Sequence, residues 1–154
     1  MKFLSSIKNF VSCSARCDTY DCACSPYNLT YLGASPGDKN ATKHCFSIGY
    51  VGCNPARACC VALNQNVDKL ALTTSADCQK SSVTRVELNG RNWLSWESKA
   101  WNLTSTGSAV GYELRIYDLQ YNQATFPGVQ ICISVKEPCS GITDLCDINS
   151  GTCQ

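Results

Sequence analysis

Thirteen of the 154 residues are cysteine, a density that suits a disulfide scaffold in a secreted chain and fits little else. So many thiols serve cross-links, metal sites or reactive thiolates. Zinc sites draw on cysteine pairs two to four residues apart, often with histidine. This sequence has no Cys-x-x-Cys, and His44 is its single histidine. Cys13-x3-Cys17-x4-Cys22 comes nearest to a metal pattern, without a histidine beside it, and reads as disulfide cysteines instead. The sequence therefore predicts disulfides at Cys13, Cys17, Cys22, Cys24, Cys45, Cys53, Cys59, Cys60, Cys78, Cys132, Cys139, Cys146 and Cys153. It predicts no metal and no cofactor, and an extracellular, oxidising compartment. Cys59 and Cys60 are adjacent, with Cα atoms about 3.8 Å apart, which is closer than disulfide geometry prefers. Two different partners are expected for them. An odd count leaves one cysteine over, and the expectation is a domain truncated at its C-terminus, with the missing partner past Gln154.

A chain that leans on cross-links should have a thin core, and composition agrees. Apolar residues make up 44% with the cysteines included. Charged residues are 16% and the net charge is +1, so neither self-repulsion nor a basic footprint for nucleic acid is present. No apolar run approaches the length of a membrane helix. The surface is instead rich in hydroxyls, with 17 Ser and 11 Thr. Three N-glycosylation sequons begin at Asn28, Asn40 and Asn102, each in or beside a polar stretch. The first residues do not read as a signal sequence, because Lys8 interrupts the apolar run. Phe3, Leu4, Ile7, Phe10 and Val11 recur at helical spacing, so residues 1–21 are expected to be an extension, either a short amphipathic helix or a linker.

Period-two alternation, the mark of a half-buried strand, recurs along the rest of the chain. It appears over Tyr27 to Tyr31, Phe46 to Tyr50, Leu70 to Leu72, Val86 to Leu88, Tyr112 to Ile116 and Ile131 to Val135. In the last of these, Cys132 should face away from Ile131 and Ile133. Asn89-Gly90 is a strong tight-turn dipeptide. Turn-forming clusters fall at Ala34 to Asn40, Asn54-Pro55, Thr104 to Gly111 and Phe126 to Gly128. Short helices are expected around Ala58 to Asn66 and Gly141 to Cys146. The predicted fold class is mainly β, a disulfide-rich β-sandwich-like domain with short helical segments, over residues 22–154.

No catalytic set stands out, and the chain is read as not an enzyme. A hydrolase triad needs a base beside its nucleophile, and the single imidazole lies next to Cys45, which is expected to be bridged. Twelve acidic residues offer carboxylate pairs of the kind a glycosidase uses, but none is marked. Asp144, Asp147 and Asn149 lack the spacing of a calcium loop and read as turn residues. Trp93, Trp96 and Trp101 fall close together among polar neighbours. Exposed, they would stack on sugar faces or polyproline rings; inside, at least two would fill the core.

Several local motifs carry a resemblance. Ser25-Pro26-Tyr27-Asn28-Leu29, Cys45-Phe46, the Cys59-Cys60 doublet, Lys69-Leu70-Ala71-Leu72 before Cys78, and Val86-Glu87-Leu88-Asn89-Gly90 before Trp96 resemble the pherophorin domain. So do Gln130 to Val135, Pro138-Cys139, Ile142 to Cys146 and Gly151-Thr152-Cys153. Pherophorins are extracellular matrix glycoproteins of volvocine green algae. The resemblance implies a secreted, glycosylated structural or interaction module of a matrix, cell wall or surface filament. Its implied partners are like domains, hydroxyproline-rich glycoproteins and matrix glycans. A lectin-like module and a sexual-inducer-related signalling glycoprotein are the alternatives it implies. The chain has no proline-rich spacer, and the further cysteine pair that normally follows the Cys153 position in the family is missing.

Overall fold

The computed structural model describes residues 25–102 and 110–145. The expected helix or linker over residues 1–21 lies outside them, as do Cys13, Cys17, Cys22, Cys24, Cys146 and Cys153.

Among the described residues, eight strands and two short helices follow one another as β1 (Tyr27–Pro36), β2 (Thr42–Tyr50), α1 (Ala58–Gln65), β3 (Leu70–Thr74), β4 (Val83–Leu88), β5 (Arg91–Trp93), β6 (Trp96–Asn102), β7 (Val110–Ile116), β8 (Gln130–Val135) and α2 (Ile142–Leu145). They form two antiparallel sheets, one of five strands in the order β1-β2-β8-β4-β5 and one of three in the order β3-β7-β6. The fold is mainly β and sandwich-like, as the alternation in the sequence predicts.

Alternation also decides which side chains meet between the sheets, because successive residues of a strand point to opposite faces. Tyr27 and Leu29 of β1, Phe46 and Ile48 of β2, Ile131, Ile133 and Val135 of β8, and Val83, Val86 and Leu88 of β4 line one inner face. Leu70 and Leu72 of β3 and Leu114 and Ile116 of β7 line the other. Asn89 and Gly90 both take positive φ, 49° and 75°, so that Leu88 pairs with Arg91 across a two-residue turn.

Three features depart from the sequence pattern. β1 runs through the expected turn cluster to Pro36, passing a bulge at Gly33, where φ is 121°. The tryptophan segment, where no alternation marked a strand, supplies β5 and β6. Phe126, placed in a turn cluster, is fully buried: its ring meets Tyr27 edge-on at 5.1 Å and stacks on Tyr121 at 5.2 Å. Gly128 N–H donates to Ile48 O, and Ile48 N–H donates to Val129 O, which ties this loop back onto β2.

Candidate functional site

The covalent frame comes first, because it fixes where surfaces can form. Cys45 and Cys132 stand directly opposite each other on β2 and β8, with Cα atoms 4.1 Å apart, and are bridged on the sheet's outer face. Cys78 bonds Cys139, and both are fully buried. Cys60 bonds Cys53 rather than its neighbour Cys59, which is also disulfide-bonded.

His44 is buried within β2. Its Nε2 lies 3.1 Å from Ser140 O and its Nδ1 lies 2.9 Å from the Tyr31 hydroxyl. A carbonyl can only accept, so Nε2 carries the proton and Nδ1 accepts from Tyr31. Burial raises the Tyr31 phenol above its ordinary pKa. Both ring nitrogens are thus engaged in holding β2 to β1 and to the segment before α2.

The tryptophans straddle the passage from one sheet to the other. Trp93, opposite Val86, packs on the core, and its indole N–H donates to Tyr117 O at 2.9 Å. Trp96, opposite Ile116, packs on the same core. Between them Leu94 is 82% exposed. The backbone of Trp101 pairs with Gly111 in β6; its side chain and that of Asn102 lie outside the described residues.

Beside this passage, charged side chains from β6, from β7 and from Lys69, just ahead of β3, meet. Arg115 Nε bonds Glu113 Oε2 at 2.8 Å, and Arg115 Nη1 lies 3.9 Å from Glu97 Oε1. The Tyr117 hydroxyl donates to Glu97 Oε1, and Lys69 Nζ sits 6.0 Å from the Tyr117 ring centre. The Tyr117 hydrogen bond holds the Glu97 carboxyl below its ordinary pKa, while burial and then that same bond push the phenol up. Burial lowers the Lys69 pKa. Arg115 engages both carboxylates. The cluster offers paired donors and acceptors at a surface, a set suited to recognition.

A second charged group lies on the outer face of the larger sheet. Glu87 is 8% exposed, between Lys43 Nζ at 3.6 Å and Arg85 Nη2 at 3.5 Å. Arg85 also reaches Asp38 at 3.3 Å. A cleft of about 180 Å³ lined by Asp38, Lys39, Thr84, Arg85 and Ser134 opens beside it. Sequence reasoning gave neither charged cluster, since a charge on a strand reads the same whether or not neighbours cover it. Among the described residues no group of three or more His, Cys, Asp or Glu side chains is placed to hold a metal ion. No helix among them is long and apolar enough to cross a membrane.

The sequons are placed differently. Asn28 lies within the β1–β2 pairing opposite Gly49, and Asn40 stands exposed in the turn between those strands with φ 60°. A family model described as Pherophorin matches residues 10–154. Compared with curated proteins and with solved structures, the chain matches none of them significantly.

Proposed function

Because the chain belongs to the pherophorin family, we propose that residues 22–154 form a non-enzymatic structural and interaction module of an extracellular matrix, cell wall or surface filament glycoprotein. The observation that carries this reading is the family match over nearly the whole chain, on a sandwich stitched by disulfides. Such a module works by keeping its shape outside the cell while presenting surfaces to like domains, hydroxyproline-rich rods and matrix glycans. Disulfides limit the unfolded ensemble, and glycans solvate the exterior. The contact surface proposed here centres on exposed Leu94, flanked by Trp93 and Trp96, beside the Glu97, Tyr117 and Lys69 cluster. Trp101, on the same strand as Trp96, is proposed as a further binding candidate.

A lectin-like role for the same surface draws support from its half-exposed tryptophans next to paired donors and acceptors. Surface plasmon resonance on immobilised hydroxyproline-rich glycoprotein, intact and enzymatically deglycosylated, tests these readings. Saturable binding that survives deglycosylation and weakens in Leu94→Asp supports rod docking. Binding lost on deglycosylation supports the lectin role. No binding to either surface and no self-association by sedimentation overturns the interaction role.

A further inference from the structure

The three sequons are equivalent as sequence motifs, yet the two whose side chains are described occupy opposed environments. Asn40 lies in the turn that joins β1 to β2, closed by Gly37 N–H to Ala41 O at 2.8 Å and Ala41 N–H to Asp38 O at 3.1 Å. Its left-handed backbone turns the residue outward, in a conformation that asparagine tolerates well. Among the described residues nothing hydrogen-bonds its side-chain amide. The turn is anchored by Ala41, which is buried, so Asn40 is held out while its neighbour is held in. Beside it lies an open hollow of about 470 Å³ lined by Ala34, Ser35, Pro36, Gly37, Ala41 and Thr42, with no charged side chain among them. Small apolar surface and hydroxyls of this kind give the first sugar residues room and a surface to lie against.

Asn28 sits instead on β1, opposite Gly49. Its side chain lies flat over that glycine: a Cβ built on Gly49 would overlap Asn28 Oδ1. Oδ1 is buried and has no hydrogen-bond partner. The missing Cβ at Gly49 is what makes the seat. A sugar on the Asn28 amide would have to lift it out of this seat.

We propose that Asn40 is an N-glycosylated residue of the folded, secreted protein and that Asn28, although it heads a sequon, stays bare there. The assignment rests on the extracellular glycoprotein reading and adds to it the site. The donor is a lipid diphosphate-linked oligosaccharide of the secretory pathway. A bond forms between Asn40 Nδ2 and the anomeric carbon of the first sugar, and that carbon's bond to the phosphate oxygen breaks. One amide proton leaves, and the lipid diphosphate departs with the bonding electrons. The Thr42 hydroxyl supplies the third residue of the sequon. A transferase that reached Asn28 before folding would give a chain unable to seat that side chain over Gly49, and this species would be depleted from the secreted pool.

The test is secretion of the full chain, behind a cleavable leader, from a eukaryotic host. The purified protein is treated with an amide-cleaving glycosidase in ¹⁸O water, and peptide mass spectrometry then reads each sequon as labelled aspartate or native asparagine. The expected result is that most of the Asn40 peptide is labelled and the Asn28 peptide is almost wholly native. An unlabelled Asn40, or an Asn28 labelled as fully as Asn40, overturns the assignment. Gly49→Ala supplies a second arm, because the added methyl displaces the Asn28 amide and should raise labelling at Asn28 while leaving Asn40 unchanged. No rise at Asn28 in that variant overturns the role given to Gly49. A chain that is not exported at all counts against the extracellular reading instead, so the two failures are told apart.

Discussion

Cross-links that close long loops should matter more here than cross-links that close short ones, and two bridges in this chain allow a matched comparison. Cys45–Cys132 spans 87 residues and Cys53–Cys60 spans 7. Each pairs one half-exposed cysteine with one buried cysteine, so replacement by alanine removes similar packing in the two cases. Cys78–Cys139 makes a poorer test, because both of its sulfurs are core atoms. In the chain-entropy description the 7-residue loop is worth about 2.4 kcal/mol and the 87-residue loop, taken alone, about 4.6 kcal/mol. The loops of Cys45–Cys132 and Cys78–Cys139 interlace, however. With the second bridge intact, the path that the first one closes shortens to about 40 residues, and its contribution falls to about 3.9 kcal/mol.

The expected outcome is therefore that the double variant Cys45→Ala/Cys132→Ala loses about 1.5 kcal/mol more stability than Cys53→Ala/Cys60→Ala. That is more than a tenfold difference in the unfolding equilibrium. Urea denaturation of the oxidised proteins, followed by tryptophan fluorescence, resolves it as a midpoint difference of about 1 M for a slope near 1.5 kcal/mol/M. The slope should also rise in the long-loop variant, whose unfolded chain expands further. Equal losses, or a larger loss in the Cys53/Cys60 variant, would refute the loop-entropy argument and place the contribution of these bridges in local native contacts.

Two further outcomes follow from single residues. Gly90→Ala puts a Cβ on a residue with φ 75° in the β4–β5 turn and should cost about 1–2 kcal/mol, measurable as a fall in Tm; an unchanged Tm would show that the turn relaxes to another type. Burial, reinforced by the charge of Tyr50, pushes the Tyr27 phenol up to about 12. Because the folded pKa lies above the unfolded value of about 10, the contribution is fully present below pH 10 and is lost as pH rises through the folded pKa. Unfolding monitored across that interval should be steeper in the wild type than in Tyr27→Phe, which also gives up the hydroxyl donated to Leu63 O. Parallel curves would count against this.

The sequence shows faces more readily than it shows neighbours. Ile131, Ile133 and Val135 announce an inward face, and the same is true of Leu114 and Ile116. Each strand's own period decides it, with no knowledge of a partner. That β8 lies between β2 and β4 cannot be read this way, because the pairing joins segments more than forty residues apart and is selected by the packing of both sheets at once. The outer faces are opaque for the same reason. Glu87 and Glu113 look like solvated strand charges, yet they are 8% and 2% exposed, because Lys43, Arg85 and Arg115 lie over them. Long basic side chains can cover surface in this way only when the register brings them alongside. The candidate contact surface was legible as a cluster of tryptophans. Its passage between the sheets, with Leu94 at the outside, depends on Trp93 and Trp96 being anchored in the core.

Among the described residues, the placement of Cys45–Cys132 and Cys78–Cys139 follows from that topology. β8 comes last among the strands and is inserted between two earlier ones, so its docking carries the largest loop-closure cost in the domain. Cys132 fastens β8 to β2, and Cys139, just past its end, fastens the following segment to Cys78, ahead of β4. His44 adds a polar tie at the same place, joining β2 to Ser140 one residue beyond Cys139. The strand most expensive to place is thus the one fixed covalently on both sides. Such an arrangement does little for ligand chemistry. It matters for a module proposed to stay folded outside the cell, because losing β8 would leave the backbone edges of β2 and β4 unpaired, as templates for unwanted pairing.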